Sequence, residues 1–246
     1  MRLAAFVLAF TTLASAEERT VVLAHDPTPR GVQEIATILR TVADIPKLSI
    51  DNTHLSFTME GSAAQLDGAA WLVQQLDKPA GWRPSEQERE NPSTREFRLA
   101  SSEKGPILRI LYLPENTSTR GMQETLTIMR TVLDVQKIFN YSSQHALAIR
   151  GTAGELAADE WLLQALEANT VSPPYPLVEG VPADLVRVFP LPPDATSPRM
   201  AQLITALRSK PLFVQKVFTR SVPPVIAVRG TAAQLDQAEK QISAFK

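Results

Sequence analysis

VQKIF starts at Val135 and VQKVF at Val214, 79 residues later (214 − 135). The likeness extends well beyond five letters. PRGVQEIATILRTVADIPK at 29–47 aligns with TRGMQETLTIMRTVLDVQK at 119–137, and GSAAQLDGAAWLVQQL at 61–76 with GTAGELAADEWLLQAL at 151–166, both at an offset of 90 (151 − 61). The last third supplies another copy: MAQLITALRS at 200–209, then VQKVF, then GTAAQLDQAEKQISAF at 230–245, with one residue of slippage ahead of VQK. Three blocks in one order constrain the fold more than composition does, because the chain must build one supersecondary unit three times.

The periodicities inside each copy say what the unit is. Each opens on a short β-type run: Val21-Val22-Leu23, Ile110-Leu111-Tyr112 and Val186-Arg187-Val188-Phe189. A helical stripe follows at i, i+3, i+4 and i+7, carried by Val32, Ile35, Ala36 and Leu39, by Met122, Thr125, Leu126 and Met129, and by Met200, Leu203, Ile204 and Leu207. Thr28-Pro29 and Ser197-Pro198 read as an N-cap followed by proline at the first helical position. Two short strands come next. In the second of them Leu55, Phe57 and Met59 alternate with Ser56, Thr58 and Glu60, which predicts one buried and one wet face. Gly61, Gly151 and Gly230 end these strands, and Ser62, Thr152 and Thr231 are placed to cap the next helix. That helix buries Leu66, Ala69, Val73 and Leu76, with Leu156, Asp159, Leu163 and Leu166, then Leu235, Ala238, Ile242 and Phe245, at the same positions. Asp159, the odd member, is expected at the edge of its stripe.

The expected fold is α+β: three tandem β-α-β-β-α units, each with two helices on one face of a small three-stranded sheet. The limits are 17–78 for the first unit, 95–169 for the second with an extra N-terminal hairpin, and 185–246 for the third. Linkers 79–94 and 170–184 are rich in proline and polar residues, which predicts extended, semi-stiff spacers.

The start of the chain has the order of a secretory signal: basic Arg2, an uncharged run from Leu3 to Leu13, then Ala14-Ser15-Ala16 ahead of a cut before Glu17. The run is shorter than the roughly 20 residues a membrane span needs. An exported, periplasmic mature chain is expected, with no transmembrane segment. Without Arg2 it carries 24 basic (25 − 1) against 26 acidic side chains, which offers nothing general to nucleic acid. No cysteine is present, so disulfides, thiol nucleophiles and thiol-linked lipid are excluded.

Motifs for chemistry are missing. There is no G-x-S-x-G, H-E-x-x-H, G-x-G-x-x-G or G-x-x-x-x-G-K-[ST]. His25, His54 and His145 stand apart, whereas a metal needs three or four ligands at defined spacing. GTAG at 151–154 joins a strand to a helix and is unmatched in the other copies, which separates it from the RNA-clamping G-x-x-G loop between helices. No catalytic residue, metal ligand or cofactor is therefore expected. The candidate interface residues are those that recur. Arg40, Arg130 and Arg208 close the first helix, and Lys47, Lys137 and Lys216 follow in the next strand. These cations serve either the free carbonyls of a helix C-terminus or a basic rim for an acidic neighbour. Trp71 and Trp161 match across 90 residues (161 − 71). Trp71 lies about 140° round the helix from Leu66, so it packs on a linker or neighbouring unit, or anchors a partner.

The glycine, small-residue and apolar pattern of GSAAQLDGAAWLVQQLDKP (61–79) and GTAAQLDQAEKQI (230–242) resembles the periplasmic N-domain repeat of bacterial secretins, the NolW-like or ring-building type. The resemblance covers all three units. It implies repeats that pack around an axis into rings and dock parts of a secretion or pilus machine. The chain departs from that family in having only ten glycines and no long glycine-rich gate region, and it ends at Lys246. The second and third copies also lose the terminal Leu-Asp. The expected function is a non-catalytic exported scaffold or adaptor that acts through protein partners, self included, in a secretion or pilus-related envelope assembly. The alternative is a periplasmic binding module that recognises a peptide or glycan between units.

Overall fold

A computed structural model describes residues 17–25, 27–79, 81–91, 94–99, 106–177 and 184–245. The signal segment, 1–16, and the turn of the expected extra hairpin lie outside the described residues.

The first unit runs β1 (Glu17–Val22), α1 (Pro29–Thr41), β2 (Lys47–Asp51), β3 (Ser56–Gly61) and α2 (Ala63–Leu76). After a short α3 (Glu86–Glu90) and β4 (Glu96–Arg98), the same order returns as β5 (Ile107–Tyr112), α4 (Thr119–Val132), β6 (Ile138–Tyr141), β7 (Ala146–Gly151) and α5 (Ala153–Glu167). Then β8 (Tyr175–Pro176) precedes β9 (Leu185–Pro190), α6 (Ser197–Arg208), β10 (Lys216–Ser221), β11 (Pro224–Gly230) and α7 (Ala232–Ala244). The second helix of each unit opens on a capping box. Ser62, Thr152 and Thr231 accept from the N3 backbone N–H, while Gln65, Glu155 and Gln234 accept in return. Thr28 caps α1 with Pro29 behind it. The start of α6 lies one residue earlier than expected: Thr196 is the cap residue and Ser197 is already helical.

Three antiparallel sheets result, in the orders β1-β3-β2, β4-β5-β7-β6 and β10-β11-β9-β8. The second and third are four-stranded: in the second, β4 pairs with β5 where the extra N-terminal hairpin was expected, and in the third the 170–184 linker contributes β8. The 170–184 linker is thus not a mere spacer. Phe97 of β4 packs against the first unit's core, and Leu177, just after β8, packs against the second unit's core.

The larger departure concerns the faces. On β5 and β7, Ile107, Leu111, Leu147 and Ile149 join the core of α4 and α5, while Leu108, Ile110, Ala146 and Ala148 join the core of α1 and α2. On β9 and β11, Phe189, Ile226 and Val228 join the core of α6 and α7, while Val186, Val188, Val225 and Ala227 join that of α4 and α5. Sheet and helices therefore alternate through six layers, and each of the first two helix pairs is buried between its own sheet and the next. Only the first sheet keeps the wet face its alternation predicts, with Thr20 and Thr58 sharing a hydrogen bond at 2.9 Å there. In the other two, successive residues serve opposite cores, which is why these strands are apolar on both sides.

Contact between layers is close at Gly68 on α2. A Cβ there would lie 2.6 Å from Leu99 Cδ2 and 2.9 Å from Leu108 Cδ1. Gly68→Ala is expected to lower stability by about 1–3 kcal/mol through overpacking, despite the better helix propensity of alanine. Denaturant unfolding measures it. An unchanged midpoint would mean that the leucines yield freely.

Candidate functional site

The junctions between units are built twice from the same parts. Glu34 on α1 accepts from the Ser142 backbone N–H and hydroxyl, both at 2.7 Å. Glu124 on α4 accepts from the Ser221 N–H at 2.7 Å and its hydroxyl at 2.5 Å. Beyond each helix an aspartate turns into the left-handed region, Asp44 at φ 56° and Asp134 at φ 61°. Asp44 accepts from Lys137 and, at 2.5 Å, from Arg150. Asp134 accepts from Lys216 and, at 2.9 Å, from Arg229. Burial pushes Asp134 up, but Lys216 and Arg229 together outweigh it and hold the carboxyl below its ordinary range. Hydrogen bonding to Arg229 holds Asp184 low as well. Between these polar rims, Phe139 of β6 reaches the core of α1 and α2, and Phe218 of β10 that of α4 and α5.

The two outer layers lack these parts. On the third unit's helices Gln202 stands where Glu34 and Glu124 stand, Phe213 replaces Asp44 and Asp134, and Gln241 replaces the fully buried Leu72 and Leu162. Phe213 keeps the left-handed φ of 50° and is 49% exposed. On the first sheet Glu18 replaces Leu108, Thr20 replaces Ile110, and Ser49 replaces Phe139. Polar outer faces are what repeat arrays use to end a stack.

The recurrent residues singled out from sequence fall into separate places. Lys137 and Lys216 lie in the junctions, while Lys47 pairs within its own sheet with Glu60 at 2.6 Å. Arg40, Arg130 and Arg208 donate to backbone carbonyls of the following strand in their own unit, those of Leu48, Ile138 and Val217, at 3.3, 2.8 and 3.2 Å. Trp71 lies 5.9 Å from the ring of Phe97 on β4, and Trp161 stacks at 4.5 Å on Tyr175 of β8. Each tryptophan thus receives the aromatic residue of the added edge strand that follows it, β4 or β8. Glu34, Glu124, Asp44, Asp134, Arg150 and Arg229 were missed. Their signal was present: the acids recur in the first two copies and the bases in the last two, the distribution expected of the two halves of one joint.

Asp159 is not at the edge of its stripe. It is 1% exposed and neither carboxylate oxygen has a hydrogen-bond partner. Burial, and secondarily Glu155, pushes its pKa up from 3.8 to about 7, against the pull of Arg109. It lines a cavity of about 550 Å³ that reaches the charged residues of both junctions, Asp44, Lys137 and Arg150 of the first and Asp134 and Arg229 of the second. The cations there are paired with aspartates, Lys137 and Arg150 with Asp44 and Arg229 with Asp134. Among the described residues no group of His, Asp and Glu could hold a metal ion, and no helix is long and apolar enough to cross a membrane.

No family model and no curated protein matches the sequence. Among solved structures, a protein of unknown function from Aeropyrum pernix aligns at TM-score 0.28 and 15% identity, covering 61% of this chain and 82% of that one. XcpQN012 aligns at TM-score 0.29 and 13% identity, covering 93% and 99%. Aeromonas hydrophila ExeD aligns at TM-score 0.20 and 13% identity over 94% of this chain, which spans 41% of ExeD.

Proposed function

We propose that the chain is a non-catalytic exported scaffold or adaptor of a secretion or pilus-related envelope assembly, built from three NolW-like units at 17–78, 95–169 and 185–246 and working in the periplasm after removal of residues 1–16. The observation that carries the scaffold reading is the duplicated junction. Glu34 with Ser142, and Glu124 with Ser221, put polar residues that recur within this chain into holding units together. The secretion setting rests on the motif likeness of 61–79 and 230–242 to secretin N-domain repeats. Partners are proteins, either other copies meeting side by side or components of the assembly, with Trp71, Trp161 and the recurrent Arg and Lys residues stiffening the stack that they meet. Light scattering and electron microscopy of the mature protein test this. Ring-like oligomers, or a defined complex with co-expressed assembly components, are expected. A strict monomer that retains a small peptide or glycan would favour the second reading, a binding module, for which the 550 Å³ junction cavity speaks.

A further inference from the structure

The linker ahead of the second unit doubles back over that unit. Trp82 lies 5.8 Å from the ring of Tyr112 at the end of β5, Arg83 pairs with Glu115 at 3.3 Å, and Arg95 pairs with Glu160 of α5 at 3.3 Å. Glu160 also holds Arg109 of β5, at 3.2 Å. One carboxylate on the second helix thus takes a strand arginine and the arginine just ahead of β4 together.

The third unit has the first half of this device without the second. Arg187 and Glu239 occupy the places of Arg109 and Glu160, and they pair at 2.7 Å. The shorter linker puts Ser172 where Arg95 sits: Arg95 pairs through its backbone with Ile110, and Ser172 with Val188, the counterpart of Ile110. Among the described residues Glu239 pairs with no second cation, and its side chain stays 40% exposed against 30% for Glu160. Beside it opens a cavity of about 440 Å³ walled by Val171, Phe189, Pro190, Pro192 and Ile242. Val171 is 45% exposed at its mouth. The surface therefore combines an apolar, proline-walled cleft with a carboxylate whose counterpart bonds two guanidinium groups.

We infer that this cleft is a docking site for an extended segment of a partner protein, one that places an apolar or aromatic side chain in the cavity and an arginine on Glu239. The chemistry is that of residues 82–95, supplied from outside. This deepens the scaffold reading by giving it a surface, and it rests on that reading only for where the partner comes from.

The probe is a synthetic peptide copying residues 81–95, titrated calorimetrically into the full mature chain at low salt. Saturable binding below millimolar peptide is expected. It should weaken by about tenfold, the worth of a charge-assisted pair, when the peptide carries Gln for Arg95 or the protein carries Glu239→Gln. Ser243→Phe, which fills the cleft from an exposed helix position, should abolish it while the thermal melt stays as in the parent. No saturation, or saturation indifferent to all three changes, overturns the inference. So does self-association of the chain that Ser243→Phe removes, since the occupant would then be a second copy. Failure of the peptide to bind leaves the oligomer and complex measurements of the scaffold reading standing on their own.

Discussion

Asp159→Ala raises the melting temperature by roughly 10 °C at pH 8 and hardly at all at pH 4. The aligned residues in the other copies, Ala69 and Ala238, are alanine and fully buried. Asp159 sits at the same depth with neither oxygen hydrogen-bonded. Its folded pKa of about 7 lies above the ordinary 3.8. Between those values the folded chain holds a proton that the unfolded chain has lost. Stability is therefore fullest below pH 4 as far as this group is concerned, and falls as pH rises towards 7. Three pKa units at 1.36 kcal/mol each make the loss on the order of 4 kcal/mol. Alanine removes the group and with it that slope. The check is a pair of melting curves against pH. If parent and variant keep the same slope between pH 4 and pH 8, or the variant melts lower at pH 8, then Asp159 carries no such penalty.

Leu108→Glu is expected to cost upwards of about 4 kcal/mol, the range of a buried unpaired charge, and to separate the first unit from the second. Glutamate is what the first sheet carries at this place, as Glu18, where it faces water. In the second sheet Leu108 is fully buried in the core of α1 and α2. Limited proteolysis would show it as new cleavage in the 79–94 linker, together with a lowered denaturant midpoint. The reciprocal triple change, Glu18→Leu with Thr20→Ile and Ser49→Phe, should leave the fold intact and make the chain self-associate. A Leu108→Glu protein as stable as its parent would mean that the sheets and the preceding helices are not joined by a dry core.

The order of elements was legible because the capping residues, the terminal glycines and the i, i+3, i+4 stripes are local signals that survive in every copy. What escaped was the second buried face of two sheets. ILRILY and LVRVFP are apolar on both faces apart from one arginine, the mark of a strand covered on both sides, but Arg109 and Arg187 interrupt the run. Both turn out to be paired, with Glu96 and Glu160 and with Glu239. The 170–184 linker looked like a spacer because proline dominates it, while Tyr175, the aromatic residue that docks it on Trp161, carries no periodicity of its own. The joint residues were hidden for another reason. A search for features shared by all three copies passes over those shared by two, and each half of a joint between three units occurs only twice.

Alternation of layers also sets an order of assembly. The middle sheet has one face that only α1 and α2 can dry, and the last sheet one face that only α4 and α5 can dry. A polypeptide emerging from its N-terminus, or threading across a membrane in that direction, completes each helical bed before the strands that lie on it arrive. Shortening such a chain from the front would strip the cover from a sheet and leave a greasy plane behind. Shortening it from the back would bare the helix faces, with Leu72 or Leu162 on them, that the next sheet had covered.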